Sequence, residues 1–178
     1  MVSGREFAGA DTLATGKTLA AAIELLSDYQ LIICGKQAID GDTAQVGPGI
    51  AAKLNLPQAS FVKKIEKIDE NELQVQRMME DGYDVVGMKL PALITVVKDI
   101  NEPRLPSLRG KMKAKKAKIR QINPADLELD EKEIGLNGSP TQVVKIFAPE
   151  MKKEGEILHG DVSELAEKTA GYLSGLMQ

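Results

Sequence analysis

The 178-residue sequence has no tryptophan, one cysteine and one histidine, and aromatic residues make up only 3% of it. A single cysteine, Cys34, excludes an intrachain disulfide framework and fits a reducing compartment, so a cytoplasmic location is expected. A single histidine, His159, excludes Cys/His zinc clusters and makes histidine acid–base catalysis a poor candidate. No apolar run approaches the ~20 residues that a membrane span requires, and no basic-then-apolar segment at Met1 resembles a secretion signal. Excess positive charge is missing too. The 23 Lys+Arg and 26 Asp+Glu give a net charge of −3, which argues against a globally basic nucleic-acid binder. There is no internal repeat and no low-complexity segment.

What is present is globular: 43% hydrophobic and 28% charged residues, in a chain long enough to bury a core. Met1-Val2 reads as the end of a strand. A helix follows from Asp11 or Thr12, either of which can cap it, with an apolar stripe at Leu13, Leu19, Ala22, Ile23 and Leu26. Tyr29 to Cys34 reads as a fully buried strand. Gly35 to Gly49 is a loop turning into a helix that runs to about Leu54, before Pro57. Ser60–Ile68 and Leu73–Met79 alternate, with Asp69-Glu70-Asn71 as a turn between them, and Asp81-Gly82 is a hairpin signal. Tyr83–Leu90 and Ala92–Val97 complete an expected meander. The fold class is therefore α/β, with strand–helix–strand units and an antiparallel portion.

Seven cations fall within Arg109–Arg120. Leu108, Met112, Lys115 and Ile119 lie near one helical face there, so an amphipathic helix with its stripe packed down is expected. A docking surface for an acidic partner is the sharper reading. Asn123 to Pro140 reads as extended, Val143–Phe147 as a short β-like run, and Ser163 to Leu176 as a helix with Ser163 as its cap. The division expected is 1–122 as an α/β domain and 123–178 as an extended segment with a C-terminal helix.

The richest chemistry lies in Gly35, Lys36, Gln37, Ala38, Ile39, Asp40, Gly41, Asp42, Thr43, Ala44, Gln45 and Val46. This segment follows a strand and opens a helix, where α/β sheets bind ligands. Unpaired first-turn amides and the helix dipole suit an anion. Gly41 allows close approach or a positive φ. Thr43 and Gln45 add donors, whereas Asp40 and Asp42 can cap the turn or bind ribose hydroxyls. An ordinary capped helix start accounts for the same residues. Asp11, Thr12 and Thr15 form a second strand-to-helix loop, with the two threonines on one face. Two such helix starts on adjacent parallel strands would converge on one crevice fit for a nucleotide.

Taken together, Gly9-Ala10-Asp11-Thr12, Cys34 to Asp40, Leu90-Pro91-Ala92, Asn101-Glu102-Pro103-Arg104, Met112 to Lys116 and Gly138-Ser139-Pro140-Thr141 are decisive. In this order, the chain resembles the β subunit of electron transfer flavoproteins along nearly its whole length. The resemblance implies a Rossmann-like sheet (adenine nucleotide alpha hydrolase-like) with a C-terminal arm that wraps an α subunit carrying the redox flavin. It implies a nucleotide at Gly35–Val46: AMP in one branch of the family, or in the electron-bifurcating branch a second FAD that accepts hydride from NADH. The Asp40–Pro48 segment looks more like the bifurcating branch. Met78, where the AMP branch tends to carry an acid, points the same way. The resemblance also implies docking on a partner dehydrogenase through Arg104, Leu108 and Met112, with Leu108 as the anchor. Family members begin with further strands and helices that supply adenine and ribose contacts. This chain starts near their third strand, so an apolar sheet edge and an incomplete nucleotide site are expected.

Two other classes compete. A nucleotide-hydrolysing enzyme of related fold would want a Ser-Gly-Gly phosphate loop, which is missing. A nucleic-acid module would want aromatics inside the basic run for stacking, and it has none. Cys34 is expected to be core, His159 a surface residue and Tyr83 a strand aromatic. No carboxylate pair or Ser/His/Asp set suggests hydrolysis.

Overall fold

The computed structural model describes residues 1–148, 155 and 157–176. Five strands, β1 (Leu31–Gly35), β2 (Gln58–Ile68), β3 (Glu72–Met79), β4 (Gly82–Lys89) and β5 (Ala92–Val96), make one sheet in the order β1-β5-β2-β3-β4. The helices are α1 (Thr12–Glu24), α2 (Val46–Lys53), α3 (Leu108–Lys116) and α4 (Val162–Leu176). The sheet is mixed, as the α/β reading requires: β5 runs parallel to both β1 and β2, whereas β2, β3 and β4 are antiparallel.

The meander is shorter than expected. Asp81-Gly82 does make the tight β3–β4 turn, with Met79 opposite Gly82, but β5 leaves β4 and inserts between β1 and β2. The reason is in the residues: Ala92, Leu93, Ile94 and Thr95 are all buried, a run that needs cover on both faces and neighbours on both edges. β1, by contrast, is an edge strand and not fully buried. Ile32 and Cys34 pack against the helices, while Ile33 is 59% exposed.

Leu93 faces a cluster with Ala20, Ile50 and Ala51 of α1 and α2, and Ile94 faces one built from Ala59, Val62, Leu73 and Val75. The buried face of α1 differs from the expected stripe. Ala14, Gly16, Thr18, Ala20 and Ala22 are inside, whereas Leu13 and Leu26 are 54% and 61% exposed. Small residues win because α1 is held close on two sides. A Cβ on Gly16 would lie 3.7 Å from the Gly49 backbone of α2. Ala22 also packs on Ile122 and Leu127. The buried Thr18 hydroxyl is satisfied within the helix, donating to the Ala14 carbonyl at 2.8 Å.

Val2 does pair as a strand end, through a parallel bridge to Ile122. Residues 123–140 are not extended. Two 3₁₀ turns, Pro124–Asp126 and Glu131–Glu133, fold them into the first compact unit, Met1–Gln142, and bury Leu127 and Ile134. The second unit is Val143–Gln178, so the compact units divide twenty residues later than the 122/123 boundary read from composition. Val143 to Phe147 forms no strand, and Val144 and Ile146 are 97% and 88% exposed. α4 is capped by Asp161, which accepts from the Ser163 and Glu164 amides at 2.9 and 3.2 Å; Ser163 is not the cap.

Candidate functional site

α2 is seated on the sheet by a glycine. A Cβ on Gly47 would stand 2.5 Å from the Thr95 Cγ2 methyl of β5 and 3.5 Å from Cβ of Cys34, so only a glycine lets the helix start lie this close to the strands. The residues before it form the loop beyond the carboxyl end of β1. The Lys36 amide donates to the Val96 carbonyl at 2.9 Å, extending the β1–β5 ladder by one residue before the chain departs. The loop then closes on itself: the Asp42 amide donates to the Ala38 carbonyl at 3.0 Å, and the Gln37 side-chain amide donates to the Asp42 carboxylate. Positive φ falls on Asp42 (48°) and Ala44 (54°) and not on Gly41, where a Cβ would meet open space. Asp42 and not Asp40 is thus the turn-former, as an aspartate tolerates the left-handed region. Gly35 to Thr43 and Gln45 are exposed, and Ile39 stands fully in solvent.

The two helix starts meet, though not from adjacent parallel strands: α2 follows β1, whereas Val2, the bridged residue before α1, pairs with Ile122 outside the sheet. The Thr12 hydroxyl donates to Oε1 of Gln45 at 2.8 Å, and Thr15 lies half-buried one turn further along α1. Their electrostatics differ. At α1, Asp11 accepts from the Leu13 and Ala14 amides, both at 3.0 Å. Its other carboxylate oxygen accepts from the Thr141 amide at 3.2 Å and hydroxyl at 2.8 Å. The Ala14 amide, followed by partial burial acting in the opposite sense and then the Thr141 bonds, leaves the Asp11 carboxyl below its ordinary value. Both Asp11 oxygens are therefore engaged by the chain itself. At α2, Gln45 is the N-cap and makes no side-chain capping bond, and Pro48 has no amide hydrogen to donate.

The docking trio is exposed. Ser107 caps α3 by accepting from the Gly110 amide at 3.1 Å. Leu108 and Met112, four apart on one face, are 77% and 55% exposed, and Arg104 precedes them in exposed chain. The expectation that this stripe packs down is wrong: α3 buries no residue and ends at Lys116, leaving Ile119 71% exposed. Five cations among the nine residues of α3 give the helix too little apolar surface to hold it against a core.

One feature escaped the sequence reading. A groove of about 690 Å³ at the turn end of the antiparallel portion is lined by Phe61, Arg77, Met78, Met79 and Tyr83, and only Lys36 comes from the candidate loop. Phe61 reaches it from a bulge in β2, where the β2–β5 register slips between Ala59 and Val62. Its φ is +60°, and its amide donates to the buried Thr95 hydroxyl at 3.0 Å. Bulges of this kind re-aim side chains beside functional sites. The interruption of alternation at Lys63-Lys64 was the only signal. Elsewhere, burial raises the Cys34 thiol above its ordinary value, which disfavours the reactive thiolate. His159 is exposed. Among the described residues, no acid/His/Cys cluster could hold a metal, and no helix is long and apolar enough to cross a membrane.

The family model of the electron transfer flavoprotein domain matches residues 1–127. The electron transfer flavoprotein subunit beta of Thermoanaerobacterium thermosaccharolyticum is 46% identical over 175 residues, covering 98% of this chain and 66% of that protein. The subunit beta of Megasphaera elsdenii is 48% identical over 89% of this chain and 60% of its own length. The caffeyl-CoA reductase-Etf complex subunit CarD of Acetobacterium woodii is 46% identical over 93% and 63%. The chain spans between 60% and 66% of the length of these three relatives. The family model covers well over half of the sequence and these relatives are 46–48% identical to it: the chain belongs to the electron transfer flavoprotein family.

Proposed function

We propose that the chain serves as the β-side, electron-carrying subunit of a heterodimer with an electron transfer flavoprotein α subunit. In this reading Gly35–Val46 holds the phosphate or pyrophosphate of an adenine-bearing cofactor. The observation that carries it is the contrast between the two touching helix starts: α1 is capped by its own aspartate, and α2 has no side-chain cap and opens onto an exposed loop. An anion at α2 would meet the Val46 amide, the helix dipole and the donors of Thr43 and Gln45. Thr12 donates to Oε1 of Gln45, which leaves the Gln45 NH₂ group to act as a donor. Asp11, as the cap, fixes where α1 begins, and Thr15, one turn further along, would border the same nucleotide.

FAD rather than AMP is the cofactor we favour, since Met78 and the Asp40–Pro48 segment follow the bifurcating pattern. The CarD relative belongs to a complex named for caffeyl-CoA reductase, which fits that branch. A bound flavin supplies the one- and two-electron chemistry, with NADH or a dehydrogenase as donor. The chain's residues bind and orient it. Arg104, Leu108 and Met112 form the contact for the partner dehydrogenase: an exposed leucine rimmed by cations suits a small, transient interface. The reading places the complex in the cytoplasm.

The absorbance spectrum and nucleotide content of the co-purified heterodimer test this. Two flavins per heterodimer are expected. One flavin plus AMP would move the chain to the other branch, and no nucleotide beyond the α-subunit flavin would overturn the loop assignment.

A further inference from the structure

The core face of β3 reads Leu73, Val75, Arg77, and its first two members are fully buried. Alternation puts an arginine where a third apolar residue would complete the row. Its ladder neighbours are Val62 on β2, fully buried, and Asp84 on β4. Arg77 forms no ion pair with Asp84, and its Nε is the one buried side-chain polar atom without a hydrogen-bond partner among the described residues. An orphan donor in that position calls for an acceptor. Arg77 lines the 690 Å³ groove, and Lys36 lines both this groove and two adjoining hollows with Val97. Lys36 Nζ stands 5.3 Å from the Phe61 ring centroid, so two cations share this end. The acids Glu80 and Asp81 line the turn end, and Asp84 stands across the ladder from Arg77. The exposed Met78, Met79 and Tyr83 supply apolar wall.

We propose that this groove binds an oxyanion carried on a flat apolar body, a carboxylate or a phosphate monoester, with Arg77 as its anchor and Lys36 as the second cation. The fork of a guanidinium fits either oxyanion. The charged end would lie at Arg77 and Lys36 and the apolar body along Met78, Met79 and Tyr83, with Glu80 and Asp81 keeping the charge away from the turn. The site shares Lys36 with the Gly35–Val46 loop, but its anchor, Arg77, lies outside that loop, so the proposal does not rest on the electron-carrier reading.

The test is titration of the ¹⁵N-labelled full chain with phenyl phosphate, benzoate and neutral benzyl alcohol, following the Arg77 Nε–H resonance. Saturable movement with either anion and none with the alcohol is expected, and the anion that acts names the ligand chemistry. Arg77→Gln should weaken binding about tenfold or more and Lys36→Gln about threefold. Should Arg77→Gln fail to fold, the wild-type resonance and Lys36→Gln carry the test. A resonance unmoved by both anions, moved equally by chloride or benzyl alcohol, or wild-type affinity in Arg77→Gln would overturn the proposal.

Discussion

The starts of α1 and α2 are joined by one hydrogen bond and solve opposite problems. At α1 every available acceptor of Asp11 is spent on the protein: two first-turn amides on one oxygen, the Thr141 amide and hydroxyl on the other, while its own amide donates to Ser139 Oγ at 2.8 Å. At α2 nothing caps the helix, glycine presses it onto β5, and the preceding residues are turned out to solvent. Both loops carry the composition of a helix cap, and only one uses it. The lesson is that a polar residue at a helix start marks a binding site only where its groups are left unengaged. Gly138-Ser139-Pro140-Thr141, 128 to 130 residues away in sequence, decides this for Asp11.

The sharpest way to break the contrast is Gly47→Ala. The added methyl meets Thr95 Cγ2 at 2.5 Å, so α2 must lift, at a cost of about 1–3 kcal/mol read by thermal or urea unfolding; Gly41→Ala in the open loop should leave the unfolding midpoint in place. Next comes Asp11→Ala, which removes a cap and the tie to Thr141 together. Its drop in Tm should be several times that of Gln45→Ala. The pH dependence has a definite sign. Because the folded-state carboxyl sits below its ordinary value, its stabilisation is complete above the unfolded pKa near ~4 and fades as pH falls through the lower folded value. The gap between wild type and Asp11→Asn should therefore narrow in acid. Thr43→Ala with Gln45→Ala should change stability by no more than about 0.5 kcal/mol, yet reduce nucleotide retained by the α/β complex; unchanged stoichiometry would place the cofactor contact elsewhere. Leu108→Ala, on a helix with no buried residue, should leave Tm and flavin content alone while slowing electron transfer to the dehydrogenase about tenfold. An unaltered rate would remove the docking role.

Much of the sheet was legible because its signals are local. The alternation in β2 and β3 and the Asp81-Gly82 turn gave the antiparallel portion, and the apolar run at Ala92 gave β5. What failed was non-local. The run Ala92–Thr95 marks β5 as a strand that needs neighbours on both edges, but nothing in residues 83–97 alone says that those neighbours are β1 and β2. The buried face of α1 was misread because hydrophobicity favours leucines, whereas close approach of α2 selects Ala and Gly. The basic helix was expected to pack because its period is helical, but period alone does not say that a surface exists to receive it. For the site, the strand–loop–helix order at Gly35–Val46 was legible, and Thr12 meets Gln45 although no strand of the sheet precedes α1. The engagement of Asp11 and the groove beside Phe61 were not legible. One depends on a distant Ser-Pro-Thr loop, the other on a register slip inside β2.

The placement of β5 carries a consequence for deuterium labelling. Its amides donate inside a ladder flanked by parallel neighbours on both edges, with four consecutive residues shut away from water, so isotope uptake there requires opening of the whole first unit. α3, bare on every side, should label at once, which makes β5 the internal clock against which protection elsewhere in the chain, including any gained on assembly, can be timed.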